Sequence, residues 1–326
     1  MSDTRPNQCD PETVREPDKH TLPAWNEPAN FNGQTFVLYH GNCHDGFGAA
    51  LCARLRLGEA AAYLPVNYGQ PMPSIPDGSR VFILDFSYPR QELCALAARC
   101  DVRVLDHHHT AREALAGLWF ARFDMEKSGA RLAWEYFRPT AAVTPRLIEY
   151  IEDWDLWRFR LPDSRAFSAA LQLEEFNFED WEELLDDDNH RALAERGRAA
   201  LKLKEKMVDA MCKNARAFTF ALKGPPQFFS HVVDIGEMAR DPHRPWNLEH
   251  EIIVPVANAT VFFSEVGERL LELYPKAMMA AYYMDRADGR RQWGLRSRPG
   301  FDCSAVAGRL GGGGHKQAAG FITDRQ

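Results

Sequence analysis

Three short apolar segments in the first third of the chain each end in side chains that could bind a metal ion. The segments TFVLYH, VFILDF and VRVLD are typical of buried strands, and polar residues stand at or directly after their ends. If the strands are parallel, their carboxyl ends meet at one edge of the sheet, where open sheets bind ligands. In chain order the candidate side chains are His40, Cys43, Asp45, Asp85, Asp106, His107 and His108.

These residue types predict a site for divalent cations. Carboxylates gathered within a few ångströms repel one another, so they are tolerated only where cations neutralise them. Carboxylate and imidazole donors with a single thiol favour manganese, magnesium or iron, and the sequence has no CxxC pair for structural zinc. Each feature alone has a plain explanation, since aspartates cap helices and buried histidines are usually core residues. Three clusters at three strand ends are much harder to explain without a metal.

Strands and amphipathic helices alternate through the first half of the chain. We predict strands over 35–40, 81–86 and 102–106, and helices near 46–57, after Pro89, near 128–137 and near 144–153. Because strands joined through helices pair in parallel, the pattern indicates a mainly parallel sheet flanked by helices.

The second half of the chain indicates a further, smaller domain. Residues 174–188 carry nine carboxylates and no cation, which is typical of a solvated surface. A long helix follows, and strands near 252–257, 277–284 and 291–296 alternate again with helices. We therefore predict an α/β protein with a flexible N-terminal arm (1–33), a metal-binding domain (34–189), a connecting helix (190–217) and a smaller α/β domain (218–326).

Composition narrows the class of partner. The chain has 326 residues, of which 45% are hydrophobic and 26% charged, and its formal net charge is −7. A net acidic chain argues against binding long duplex nucleic acid, whose phosphates require a basic surplus, but not against a small phosphorylated substrate. No apolar run reaches the roughly 20 residues that cross a bilayer, and the N-terminus lacks the apolar core of a secretion signal. We expect a cytoplasmic protein without membrane contact.

A glycine run near the C-terminus offers a place for an anion. Gly312, Gly313 and Gly314 would let backbone amides approach a phosphate closely, and His315 adds a further donor. Arg296, at the end of a predicted strand, could bind a phosphate through two hydrogen bonds. A glycine run by itself is usually a flexible turn, so only its context favours a binding function.

The motifs together resemble the DHH phosphoesterase superfamily, which includes nanoRNases, single-strand exonucleases and cyclic-dinucleotide phosphodiesterases. The resembling segments are HGNCHDGFGAA, VFILDF, VLDHH, IEDWDLW and GGGGHKQAAGF, which keep the family order over residues 35–322. The resemblance implies two metal ions, usually Mn²⁺, with Mg²⁺ or another transition metal as alternatives. It also implies that the C-terminal domain binds substrate through the run that contains Gly312, Gly313, Gly314 and His315, to which Arg296 is added for its own chemistry.

Positions carried over from the resemblance imply a role for each residue of the site. His40 and Asp85 would bind one ion, and the other would be bound by Asp45, Asp85, His107 and Asp153. Asp155 stays open in place of Asp153, because the two carboxylates are two residues apart. His107, His108 and Asp106 would form the catalytic group, in which His108 faces the scissile phosphate and Asp106 orients the site.

Cys43 departs from the common pattern, since most of the superfamily has an aspartate two residues before the position of Asp45. A thiol is a softer ligand than a carboxylate. We expect the first ion, with Cys43 among its ligands, to be weakly held, bound differently or of a softer kind.

The expected activity is hydrolysis of short oligonucleotides or small nucleotide phosphodiesters by two-metal-activated water, in a cleft between the domains. Hydrolysis of polyphosphate or another phosphoanhydride is one alternative, and a non-catalytic nucleotide-binding module is another. A short oligonucleotide or small nucleotide is thus the expected partner, and a homodimer stays open.

Overall fold

The structure, a computed structural model, describes residues 33–141, 143–221, 232–233 and 251–324. The chain divides into two compact units, Met1–Leu201 and Lys202–Gln326. Each combines a sheet with flanking helices, so the predicted two-domain α/β class is confirmed. The arm predicted for residues 1–33 lies outside the described residues except for its last position, and the roles assigned to the two domains stay predictions.

The first unit contains a five-stranded sheet in which every pair is parallel. Its strands are β1 (Thr35–His40), β2 (Ala61–Val66), β3 (Arg80–Leu84), β4 (Asp101–Asp106) and β5 (Ala121–Phe123). Their order across the sheet is β2-β1-β3-β4-β5. Strands β1, β3 and β4 correspond to the three predicted segments, whereas the sequence analysis did not predict β2 or β5.

Helices cover both faces of this sheet, because the side chains of each strand alternate between two apolar layers. Val37 and Phe82 belong to one buried cluster, and Leu38 and Ile83 belong to the other. The helices are α1 (His44–Leu57), α2 (Arg90–Ala97), α3 (His109–Ala114), α4 (Gly129–Phe137), α5 (Arg146–Asp155), α6 (Ser164–Leu171) and α7 (Phe178–Glu183).

The second unit contains a mixed sheet, and the division between the units falls within the long helix α8 (Asp187–Cys212). The strands are β6 (Arg216–Ala221), β7 (Val232–Val233), β8 (Glu251–Asn258), β9 (Met279–Asp285), β10 (Arg290–Ser297), β11 (Gly313–His315) and β12 (Ala318–Asp324). They lie in the order β11-β12-β10-β9-β8-β6-β7, antiparallel except for the β8–β9 pair.

Two further helices pack against the second sheet. Helix α9 (Phe263–Leu273) buries Val266 and Leu270 in one apolar cluster, and α10 (Cys303–Arg309) buries Val306 in another. None of the described helices has the length and apolar character needed to span a bilayer.

Candidate metal centre

The strand order places three of the predicted segments around one point of the sheet. Strand β1 lies between β2 and β3, so the chain forms β2 on one side of β1 and then crosses to the other side to form β3. The strand order therefore reverses between β1 and β3. Open α/β sheets bind ligands beyond the carboxyl ends of the strands at such a point. His40 is the last residue of β1, Asp85 directly follows β3 and Asp106 ends β4. The fold therefore brings these side chains to the edge that the sequence predicted.

Asp85 lies at the middle of the cluster and is buried, with 1% of its surface exposed. Its Oδ1 lies 3.1 Å from His107 Nε2, and its Oδ2 lies 3.4 Å from His40 Nδ1. The Cys43 thiol donates to the same Oδ2, with Sγ at 3.7 Å. The backbone of Asp85 is left-handed, with φ of 54°, which is uncommon for a residue with a Cβ. The two oxygens of one carboxylate thus face two different groups of ligands.

The first of these groups is formed by His40, Cys43 and Asp85, and the second by Asp45, His107 and Asp155. In each group, one donor atom from every residue lies within 4.8 Å of the others. His107 Nε2 is 3.5 Å from an oxygen of Asp45 and 3.5 Å from an oxygen of Asp155. Distances of this size leave room for a cation to be bound between the donors.

The start of helix α4 fixes Asp45. The backbone N–H groups of Gly129 and Ala130 donate to the Asp45 carboxylate, at 2.6 and 2.8 Å. Ser128 caps the same helix by accepting from Arg131 N. A Cβ on Gly129 would lie 2.5 Å from Asp85 Cβ, so only glycine lets this helix end approach the centre so closely.

Asp106 holds the two histidines that follow it. Its Oδ1 accepts from the backbone N–H of His107 at 2.7 Å and of His108 at 3.1 Å, and it lies 2.7 Å from His108 Nδ1. Its Oδ2 accepts from Ser87 Oγ at 2.6 Å. Asp106 is fully buried, and both of its carboxylate oxygens accept hydrogen bonds from nearby residues of the chain. Its geometry is therefore that of a positioning residue. Nothing in the sequence pattern placed Ser87, two positions after Asp85, in the site.

The geometry favours Asp155 over Asp153 as a ligand. The Asp153 carboxylate accepts from the backbone N–H groups of Arg160 and Leu161, at 2.9 and 3.1 Å, so it organises the loop after α5. Asp155 instead faces His107, as its 3.5 Å distance shows, and its buried Oδ2 has no hydrogen-bond donor among the described residues. Of the two carboxylates left open by the sequence, Asp155 is the one that belongs to the second group of ligands among the described residues, and the assignment of either as a metal ligand stays a prediction.

The ionisation of the cluster has the pattern expected of a cation site. Burial raises the pKa of Asp45 well above its ordinary value, and the Asp85 and Asp155 carboxylates raise it further. Burial also raises the pKa of Asp155. Burial acts in the same direction on Asp85, but hydrogen bonds with His107 and His40 hold its pKa well below the ordinary value. Buried carboxylates that disfavour one another's charge fit a divalent cation, as does Asp155 Oδ2, which accepts no hydrogen bond from the described residues.

The residues predicted to bind substrate lie in the second unit. Gly313, Gly314 and His315 form β11, which pairs with β12. A Cβ on Gly312 would lie 2.0 Å from Gly320 O, so tight packing against β12 already requires glycine there. Arg296 lies in β10 and is 8% exposed. Their binding of an anion stays a prediction.

No family model matches the chain. A curated relative, the uncharacterized protein R106 of Acanthamoeba polyphaga mimivirus, is 26% identical over an alignment of 310 residues, and the match covers 87% of this chain. The match spans 66% of that relative's length.

Two solved structures are similar over most of this chain. The pGpG-specific phosphodiesterase PggH of Vibrio cholerae is 13% identical, with 89% of this chain and 93% of PggH covered and a TM-score of 0.43. RecJ of Thermus thermophilus in complex with Mn²⁺ is 15% identical, with 90% of this chain and 50% of RecJ covered and a TM-score of 0.46. Both are DHH-superfamily proteins, the group that the motifs resemble. The likeness is distant, so the function proposed below rests on this chain's own residues.

Proposed function

We propose that the protein is a metal-dependent phosphoesterase that hydrolyses short oligonucleotides or small nucleotide phosphodiesters. The observation that supports this most strongly is the position of Asp85, whose two oxygens face His40 and Cys43 on one side and His107 on the other. A single carboxylate shared by two groups of ligands is the arrangement that a two-ion hydrolytic centre requires. The proposed ions are two Mn²⁺, with Mg²⁺ or a softer transition metal as alternatives because of Cys43.

Residues of the chain account for the remaining parts of a hydrolytic site. When bound, divalent ions supply Lewis acidity, which activates water and offsets the negative charge of a phosphoryl group. Burial lowers the pKa of His108, but the adjacent Asp106 carboxylate raises it above the ordinary value, so Asp106 stabilises the protonated form relative to a free imidazole. A cationic side chain held in one orientation is suited to donate a hydrogen bond to a phosphoryl oxygen. We assign that role to His108 and the positioning of its ring to Asp106.

The test compares the full-length protein with two aspartate variants. The protein is stripped with a chelator, dialysed, and assayed with Mn²⁺, Mg²⁺ or Zn²⁺ on dinucleotides, cyclic dinucleotides, longer single strands and polyphosphate. Asp85→Asn should lose at least about 10³-fold in kcat/KM, because it removes the charge shared by both groups. Asp77→Asn is the control, because Asp77 is exposed and its pair with Arg99 contributes little.

The outcomes separate the alternatives. Metal-dependent release of mononucleotides that is lost in Asp85→Asn and kept in Asp77→Asn supports the proposal. Turnover of polyphosphate alone would show that the substrate is a phosphoanhydride, and the proposed metal centre would stand. Tight nucleotide binding without turnover under any metal would make the protein a binding module. Undiminished activity after exhaustive chelation would contradict a metal-dependent mechanism.

A further inference from the structure

An exposed tyrosine lies directly beside the metal centre. Strand β2 pairs with β1 so that Val66 is opposite His40, and the chain then turns over residues 67–70. The turn is closed by a hydrogen bond from Gln70 N to Asn67 O, at 3.1 Å, and by one from Asn67 N to Gln70 Oε1, at 3.2 Å. Tyr68 is therefore carried on a short, hydrogen-bonded turn whose position is fixed by the sheet register.

Gly69 helps to fix the direction of this turn. Its φ is 82°, a conformation that glycine adopts without strain, and the space around it is open. The two hydrogen bonds and the positive φ restrict the backbone on both sides of Tyr68. A side chain that is held in this way loses little further freedom on binding a ligand.

The Tyr68 ring contacts residues of the centre itself. Its centroid lies 5.6 Å from the His40 ring and 6.1 Å from the His108 ring, both in edge-to-face geometry. Its centroid also lies 4.5 Å from the centroid of the Phe86 ring, and Phe86 is buried, with 1% of its surface exposed. The tyrosine thus touches one proposed metal ligand and the histidine proposed to contact the phosphate.

Burial of apolar surface does not explain why a large ring is placed here. Tyr68 is 55% exposed, whereas its neighbour Phe86 already fills the adjoining core. A residue needed only to pack against Phe86 would be expected to bury most of its ring. An aromatic residue that contacts Phe86 and keeps about half of its surface exposed can instead stack with a second flat group.

We infer that Tyr68 is the stacking platform for the nucleobase next to the scissile phosphate, an inference that rests on the proposed function. A phosphate between His40 and His108 would carry its nucleoside one sugar away, and Tyr68 is an exposed aromatic residue that contacts both histidines. Stacking is tolerant of base identity, because every base has an aromatic face, so we expect Tyr68 to affect turnover of dinucleotides that carry any of the four bases.

The experiment pairs two variants with three substrates. Tyr68→Ala removes the ring, and Tyr68→Phe keeps the ring and removes the hydroxyl. The substrates are a dinucleotide, the same dinucleotide lacking its 5′ base, and the same dinucleotide lacking its 3′ base. Tyr68→Ala should lower kcat/KM on the dinucleotide by about 10- to 100-fold, since this is the usual effect of losing one base–aromatic stack. Tyr68→Phe should stay within about twofold of wild type.

The abasic substrates distinguish stacking from a structural role. If Tyr68 stacks one base, wild type should lose activity when that base is absent, and Tyr68→Ala should then lose nothing further on that substrate. Mn²⁺ titration should give the same affinity for wild type and Tyr68→Ala. An equal loss on all three substrates, or weaker Mn²⁺ binding, would show that Tyr68 only supports His40 and would overturn the inference. A wild-type protein that cleaves none of the substrates would overturn the proposed function and, with it, this inference.

Discussion

Gly129→Ala should disable the metal centre by adding one methyl group. Gly129 is the first residue of α4, and its N–H donates to Asp45, a bond that alanine would keep. The added Cβ would lie 2.5 Å from Asp85 Cβ and 2.9 Å from both Asp85 Cγ and Oδ1. Since both partners are close to the backbone, neither can rotate away. The substitution therefore acts on Asp85 and leaves the hydrogen bond to Asp45 in place.

The size of the effect follows from these distances. Ordinary contacts of a Cβ begin at 3.4 Å, so Asp85 and α4 must separate by the difference between 3.4 and 2.5 Å, about 0.9 Å. A displacement on the order of 1 Å at a reacting centre can cost about 100-fold in rate. Overpacking of this kind usually destabilises a protein by about 1–3 kcal/mol, so the variant should still fold. We expect a loss of about 100-fold in kcat/KM with a modest fall in melting temperature.

Gly308→Ala is the matched control. Gly308 lies within helix α10, and a Cβ there meets no atom within 4 Å. Alanine should stabilise that helix by about 0.5–1 kcal/mol and leave activity unchanged. Both variants are assayed for dinucleotide turnover, Mn²⁺ affinity and thermal unfolding. Wild-type Mn²⁺ affinity and turnover in a folded Gly129→Ala protein would refute the placement of Asp85 at the centre.

Three further predictions concern single side chains. Asp155→Asn should weaken Mn²⁺ binding at least about tenfold, whereas Asp153→Asn should mainly lower the melting temperature, because Asp153 accepts two backbone N–H groups. Metal titration and thermal unfolding of both variants check this, and the reverse pattern would restore Asp153 as the ligand. Cys43→Asp should raise Mn²⁺ affinity, since it replaces a soft donor with a hard one, and unchanged titration curves would remove Cys43 from the ligands. His315→Ala should lower kcat/KM on dinucleotides about 100-fold and on a small chromogenic phosphodiester much less, if the second unit positions only long substrates. Equal losses on both substrates would contradict that role.

The sequence predicted the strands that carry ligands because each is a buried apolar run with a polar end. The first predicted strand and β1 have the same bounds, 35–40, and those at 81–86 and 102–106 differ from β3 and β4 by one or two residues at an end. Strand β2 was not predicted because the segment Ala61–Val66 mixes exposed and buried positions and contains a proline. The turn that carries Tyr68 follows β2 and could not be placed without it.

The motif IEDWDLW does not by itself determine whether Asp153 or Asp155 faces the metal centre. Residues two apart on a helix point about 200° away from each other, so only one of them can face a given site. The buried residues Ile148 and Ile151 define the inner face of α5, and Asp155 continues that spacing at i+4. This periodic signal was present in the sequence. The sequence left both residues open because the predicted helix ended at residue 153, whereas α5 runs on to Asp155.

The backbone of the centre is left-handed at Asp85 and also at Asn42, which lies between His40 and Cys43. A left-handed conformation at a residue with a Cβ costs free energy and persists only when the surroundings enforce it. Here Asp85 N donates to Leu105 O at 2.9 Å, so the β3–β4 pairing continues through the strained residue. The carboxylate is then held by His107 and His40. Both constraints are made by the chain's own residues, and together they enforce the left-handed backbone of Asp85 at the centre.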